Sequence, residues 1–398
     1  MKIERVDLIA VGTEPIHRLN GETVRKVTLM RLKTSAALAL AVTASLLVAP
    51  SASATPRCDT APIQTALKAL KRVGATGIAV TVKSPRCGVW QGGVGVADRR
   101  TGRAVAGDEH SRIGSDTKTW TAVVVLQLVG EGRIKLSDTV DHYLPGLIRT
   151  QRYDGREITI RQLLQHTSGL PDYLEADFWQ DEDAHRWDHI EPLWTVKQAL
   201  TLPPPDRNPA GFAYSNTNYN LAGLIVTKVT GRPIATEIEQ RIIKRLGLRD
   251  TSWPGDRPTI PRPELRSYVE RNGKLVDRTE WNTSEADASG ALISTGADAT
   301  TFWTALLTGK LLAPAQLAEM KRTVPDGLSD GYGLGIERYR FTPDVTNWGH
   351  SGSMSSGHVF RNAFTEDGQR SVTLLLGTDT FDSGKVDAAM GQLMRDLR

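Results

Sequence analysis

The sequence predicts an α/β (α+β) protein in which one α/β domain is interrupted by a helical insertion. Three observations carry this. A helix and two strands stand near the start of the folded part, a long apolar helical block follows Ser111, and strands and a last helix return beyond about residue 285.

The elements follow in order. Ile63, Leu67, Leu70 and Val73 recur at helical spacing and predict a helix over 63–73. Residues 77–82 and 88–97 read as strands joined through Ser84-Pro85, with Gly95 marking a bulge. Trp120 to Val129 is too long an apolar run for most strands and ends at Gly130 and Gly132, so it reads as a buried helix. Further helices are expected at 160–165, 196–200 and 221–229, the last stopped by Gly231-Arg232-Pro233. Residues 332–339, 357–365 and 371–377 read as strands, and 386–397 as the closing helix. The expected division is residues 1–54 as extension and signal, 55–110 with 285–398 as the α/β domain, and 111–284 as the helical domain.

Met30-Arg31-Leu32-Lys33 forms a short basic stretch, 36–49 is almost uniformly apolar, and Ala52-Ser53-Ala54 offers a small-x-small cleavage site. That order is expected of a secretory signal cleaved near Ala54, and it is too short for a comfortable membrane span. Met30 is then the expected start, and the mature protein is expected outside the cell or at the wall. Residues 1–54 hold seven lysines and arginines against four acids, so their removal leaves a net charge near +1 of the original +4. A near-neutral chain has no electrostatic footprint for nucleic acid. With 39% hydrophobic and 24% charged residues, disorder, collagen and a multi-span membrane protein are excluded. Cys58 and Cys87 lie close together in the exported part, where they either pair or stay as two buried thiols.

Three short motifs carry chemistry. Ser115-Asp116-Thr117-Lys118 sits where the buried helix begins, so Ser115 and Lys118 share a helix face. A serine hydroxyl needs a base beside it, and a desolvated lysine can serve. Alone the motif is weak, because an exposed first helical turn reads the same way. Tyr214-Ser215-Asn216 offers a phenol that a nearby ammonium would favour as phenolate, and an amide that could hold the lysine and a substrate carbonyl. Its plain alternative is a helix cap. His350-Ser351-Gly352 ends in a glycine that would let backbone approach a ligand, with N–H groups available for an oxyanion. Its alternative is a glycine-rich turn. Each motif occurs once, and in this order the three are far more specific together than apart.

With Arg112-Ile113-Gly114-Ser115, Leu163 to Leu170, Tyr214-Ser215-Asn216, Gly331 to Gly335 and His350-Ser351-Gly352, the chain resembles the class C β-lactamase-like serine hydrolases. It is most similar to the secreted D-alanyl-D-alanine carboxypeptidases of the streptomycete type. The resemblance implies an antiparallel sheet flanked by helices with an all-α insertion domain, the β-lactamase/transpeptidase-like fold. It implies acyl transfer by Ser115, proton work by Lys118 and Tyr214, orientation by Asn216, and His350 where other members carry lysine. The backbone of Ser115 and Ser353 would bind the oxyanion; Phe178, Trp281, Ser351, Gly352 and Glu337 would meet substrate. No cofactor is implied. The substrate would be a peptidoglycan stem peptide, a β-lactam or an ester.

One departure bears on substrate. The carboxypeptidase relatives carry an arginine just after the Gly-Leu-Gly-Leu strand, whereas Gly333-Leu334-Gly335-Ile336 is followed here by Glu337. Arg338 faces the other way unless a bulge shifts the register. Glu337 repels a carboxylate and suits an esterase, an amidase or aminopeptidase preferring an amine, or a general peptidase. The leading expectation remains a D-Ala-D-Ala carboxypeptidase that binds β-lactams. Its rivals are a β-lactamase or esterase and, from another class, a non-catalytic binder of cell-wall peptides. His185 and His189 lack the glutamate of a zinc peptidase motif, so no metal site is expected. Gly92 to Gly95 opens no helix and is no dinucleotide loop. His166 reads as a structural cap.

Overall fold

The computed structural model describes residues 58–342 and 345–397. The expected signal segment and its cleavage site lie outside the described residues. Among those described, no helix is long and apolar enough to cross a membrane.

Eight strands form one sheet with antiparallel pairing throughout. They are β1 (Gly77–Ser84), β2 (Gly88–Asp98), β3 (Arg103–Ala104), β4 (Glu337–Thr342), β5 (Val345–Gly349), β6 (Gly352–Ser353), β7 (Val359–Thr365) and β8 (Ser371–Leu376). Their spatial order is β3-β2-β1-β8-β7-β5-β4, with β6 paired to β7. The sheet thus joins the two ends of the chain: β1 zips to β8 with Val80 opposite Leu374.

Both faces of the central strands are covered. Ile78, Val80 and Val82 pack with Val372 and Leu374 against α1 (Ala61–Leu70) and α7 (Ser383–Asp396). The alternate residues, Ala79 and Leu375, join Phe360 and Phe364 in the larger core with α2 (Thr117–Gly130) and α6 (Gly296–Leu307). Period-two alternation delivers both sets, and each fully buried Leu, Ile or Phe contributes about 1.5–3 kcal/mol. The sheet's partner helix α2 is buried around its whole circumference. Its polar side chains spend their hydrogen bonds internally: Thr119 donates to Gly335 O (2.7 Å) and Thr121 to Ala288 O (2.8 Å).

The remaining helices that place the site are α3 (Ile160–Leu164), α4 (Pro192–Ala199) and α5 (Thr217–Thr230). Thr159 and Gln162 form a capping box on α3, and Gly231, in the left-handed region at φ 74°, closes α5. Gly95 is also left-handed, at φ 78°, and the β2–β3 register shifts just beyond it. Cys58 and Cys87 form a disulfide that ties the segment before α1 to the β1–β2 turn.

Three expectations are corrected. The strand expected over 332–339 begins only at Glu337. Residues 331–336 instead form a turn against α2, where a Cβ on Gly335 would lie 2.7 Å from Ala122 Cβ and 3.0 Å from Lys118 O. Helix α6 was not expected among the returning strands, although Thr295 caps it by accepting from Asp298 N (3.3 Å). The stretch before residue 285 holds a hairpin, Tyr268–Arg271 with Lys274–Asp277, turned by Asn272-Gly273.

Candidate active site

Ser115 lies in a single 3-10 turn, Gly114–Asp116, that feeds directly into α2. The turn puts Lys118 one helical step on, with Nζ 2.9 Å from Ser115 Oγ. Ser115 keeps partial exposure while Lys118 is fully buried. The amine has two further neighbours, both acceptors: Asn216 Oδ1 at 2.7 Å and Ser289 O at 2.9 Å. Burial pulls the Lys118 amine down to about 7, against the charges of Asp172 and Glu337, which favour the ammonium. A neutral amine has two N–H bonds and one lone pair. With both N–H groups committed to acceptors, the lone pair faces the serine hydroxyl.

Asn216 opens α5 but does not cap it; its side chain turns to the site. Its Nδ2 donates to Asp172 Oδ2 (2.7 Å), which orders the amide so that Oδ1 meets the lysine. Asp172 is held in turn by the backbone N–H groups of Asn216 (3.1 Å) and Leu174 (3.1 Å). Asp172 was missed from sequence, although it stands two residues beyond the Leu163–Leu170 motif.

The Tyr214 ring lies 5.0 Å from Lys118 Nζ. The phenolate expected here beside the ammonium does not form. Burial drives the Tyr214 phenol well above its ordinary value, and its hydrogen bond with Ser115 only partly opposes this, so the group is a neutral phenol near pH 7. The His166 ring is stacked on Tyr214 at 4.1 Å. His166 does end α3 in the left-handed region, at φ 56°, but its side chain is wholly buried under the site rather than idle at a cap.

His350 does not reach the Ser115–Lys118 pair. It is 1% exposed, with Nε2 2.8 Å from Tyr332 Oη and Nδ1 2.6 Å from Ser351 O. Burial, then the Lys118 charge, pulls its imidazole down to about 3, so it is neutral. His350 therefore carries no positive charge.

Gly352 and Ser353 form β6, which runs beside the Ser115 turn. A Cβ on Gly114 would fall 2.9 Å from Ser353 N, so the two backbones that could frame an oxyanion are in close approach. The glycine at 352 makes room for protein backbone, Ile113, rather than for a ligand as the motif had implied.

Ser115, Tyr214, Asn216, Ser353 and Glu285 line one cavity of about 210 Å³. Burial pushes the Glu285 carboxyl up to about 7, and its side-chain donor is the Trp281 indole at 3.3 Å. Trp281 itself is buried behind Glu285, and Phe178 is stacked on His185 at 3.8 Å within an aromatic cluster. Neither is among the residues lining this cavity, a correction to what the resemblance implied; Tyr173 and Leu174 take that place.

A second cavity of about 620 Å³ lies beyond Ser351 and is lined by Glu337, Arg361 and Asp387. The register is regular at Glu337, which pairs with Gly349, and shifts only after Tyr339. Arg338 thus turns away and pairs with Asp330 (2.9 Å), while Glu337 accepts from Ser351 N (3.2 Å). Burial pushes the Glu337 carboxyl up to about 8. No lysine or arginine lies within ion-pair distance of it among the described residues, and His350 Nδ1 stands at 4.0 Å.

Behind the nucleophile turn, Asp116 is fully buried and accepts from Trp303 Nε1 (2.9 Å), Trp120 Nε1 (3.1 Å) and Asn362 Nδ2 (3.1 Å). Asn362 Oδ1 accepts in turn from His350 N (2.8 Å). His185 and His189, set aside from sequence, bond to Asp188 (2.9 Å) and Asp256 (2.6 Å) on an exposed face.

The fold is that of the serine hydrolases of the β-lactamase and penicillin-binding-protein kind. The sequence model of the family described as Beta-lactamase matches residues 64–394, and the chain belongs to that family. A D-stereospecific amidohydrolase from Streptomyces sp. shares 40% identity and a TM-score of 0.77, over 84% of this chain and 98% of that one. The D-amino acid amidase from Ochrobactrum anthropi SV3 shares 25% identity and a TM-score of 0.74, over 84% and 98%. D-alanyl-D-alanine-carboxypeptidase/endopeptidase AmpH of Escherichia coli K12 is 29% identical over 231 residues, which is 56% of each chain.

Proposed function

We propose that this protein is an exported amidase that acylates Ser115 with substrates bearing a free amine. The carrying observation is Glu337, a largely buried carboxyl beside Ser351 with no lysine or arginine in ion-pair reach among the described residues, where carboxypeptidase relatives hold an arginine. An arriving ammonium stabilises that carboxylate and lowers its raised pKa. The amidohydrolase and amidase names of the two similar structures support the reading.

In the reaction, Ser115 Oγ bonds to the substrate carbonyl carbon while its proton passes to the Lys118 lone pair. The N–H groups of Ser115 and Ser353 hold the resulting oxyanion. Tyr214, a neutral phenol, gives its proton to the leaving nitrogen and regains one from the Lys118 ammonium. The C–N bond breaks, the amine leaves, and water releases the acyl group by the same path in reverse. Export is supported by the basic, apolar and small-residue order of residues 30–54 and by the Cys58–Cys87 disulfide, which suits an oxidising compartment.

The test compares a D-amino acid amide with its N-acetyl form and with an acyl-D-Ala-D-Ala peptide. A kcat/KM at least about tenfold higher for the free amine supports the reading, and Glu337→Gln should erase the preference. Preference for acyl-D-Ala-D-Ala sinks it. One observation favours that second reading, a carboxypeptidase: the Arg361 guanidinium lines the same cavity as Glu337, also without an ion-pair partner among the described residues.

A further inference from the structure

We infer that Tyr332 is a positioning residue whose phenol joins the ring beneath Tyr214 to the segment that carries Ser351 and Ser353, through one hydrogen-bond chain with a fixed direction. The inference rests on the acyl-transfer reading for its effect on rate, but the chain itself is read from geometry.

Both ends of the chain allow only one role. At one end Ser215 N donates to His166 Nδ1 (3.1 Å), so that nitrogen accepts and the ring proton is on Nε2. Asn218 Nδ2 lies at 3.2 Å from the same Nδ1, and its Oδ1 accepts from Ser168 Oγ (2.6 Å), which places the amide N–H toward the ring. At the other end Ser351 O only accepts, so His350 carries its proton on Nδ1 and offers Nε2 as acceptor. Tyr332 stands between, with Oη 3.2 Å from His166 Nε2 and 2.8 Å from His350 Nε2. It accepts from the first ring and donates to the second. Tyr219 also approaches this phenol, but its own proton goes to Leu164 O (2.8 Å). Burial keeps both imidazoles neutral, which the alternation requires.

Three features show that the arrangement is held rather than incidental. His166 is a non-glycine residue kept at φ 56°. Its ring is stacked on Tyr214 at 4.1 Å and meets Tyr332 edge-on at 4.9 Å. Tyr332, His166 and His350 are each no more than 1% exposed, so none touches substrate. The chain thus makes the support of Tyr214 and the Ser351 carbonyl parts of one rigid unit.

The test begins with wild-type protein at pH 7 and long-range nitrogen–proton NMR of its imidazoles. His166 is expected as the Nε2–H tautomer and His350 as the Nδ1–H tautomer; the opposite tautomer in either ring, or a charged His350, overturns the inference. Tyr332→Phe keeps the ring and deletes the link. It is expected to move the His350 Nε2 resonance and to lower kcat about tenfold with KM within about twofold. Unchanged kcat in a folded variant also overturns it, and if the variant does not fold the wild-type tautomers still decide. Ser115→Ala separates the two claims: turnover surviving in it sinks the acyl-transfer reading and leaves the tautomers standing.

Discussion

A Cβ placed on Gly352 would fall 2.0 Å from the Ile113 carbonyl oxygen and 3.0 Å from Ser115 N. Both neighbours are backbone, so neither can swing aside. Gly352→Ala must push β6 off the nucleophile turn and widen the gap between Ser115 and Ser353. A lost oxyanion donor costs about 10²–10³ in kcat. We expect a fall of that size with far-ultraviolet circular dichroism unchanged. Retained activity would mean that the oxyanion is held elsewhere.

Lys118, pulled down to about 7 by burial, is expected to govern the acidic limb of the rate profile. As a base it works only when neutral. kcat/KM should therefore rise with pH at unit slope and level off above about 7. Lys118→Met should remove the limb and at least about 10³ of the rate. A profile flat from pH 5 to 8 would assign the proton work to another group.

Asp287 combines a left-handed backbone, φ 37°, with a carboxyl pushed up to about 7 by burial. A folded-state pKa above the unfolded value stabilises fully only below about pH 4, and that stability is lost as pH rises through 7. Asparagine tolerates the left-handed region and has no charge to bury. Asp287→Asn should raise Tm by several degrees at pH 8 and by roughly a third as much at pH 5. Equal shifts at both pH values would trace the gain to the backbone alone.

The Cys58–Cys87 disulfide spans a sequence separation of 29 and fastens the segment before α1 to the β1–β2 turn. Loop closure of that length is worth about 3–4 kcal/mol against the unfolded chain. The Cys58→Ser, Cys87→Ser double variant should lose stability of that order in denaturant melts. Because neither cysteine lines either cavity at the candidate site, kcat at 25 °C should stay within about twofold.

Asp116 is expected to resist its closest isostere. All three of its neighbours donate, and asparagine would set an N–H against an N–H. Asp116→Asn should destabilise by about 2–4 kcal/mol in denaturant melts. A neutral result would mean that the acid is protonated in the native state.

The local part of the site was legible in the sequence. Ser115 and Lys118 are three residues apart where a 3-10 turn enters α2, which puts them on one face, and the acceptors Asn216 and Ser289 hold the amine at 2.9 Å from the hydroxyl. Helices α1, α2, α5 and α7 and strands β1, β2, β7 and β8 were legible for the same reason, since hydrophobic period and glycine stops act over a few residues. Non-local chemistry was not. The turn over 331–336 read as strand because Gly335 answers to α2, a contact more than two hundred residues away in sequence, and Gly333 to the Met320 carbonyl. Tyr214 read as a candidate phenolate because the pattern shows its neighbour as a full cation, whereas burial pulls Lys118 down to about 7 and pushes the phenol up. His166 read as a cap because only folding stacks it on Tyr214. The sequence by itself determined which groups could do the chemistry and where helices would carry them. Tertiary structure decided their protonation and partners, because desolvation and hydrogen-bond direction depend on what surrounds a side chain from every element of the fold.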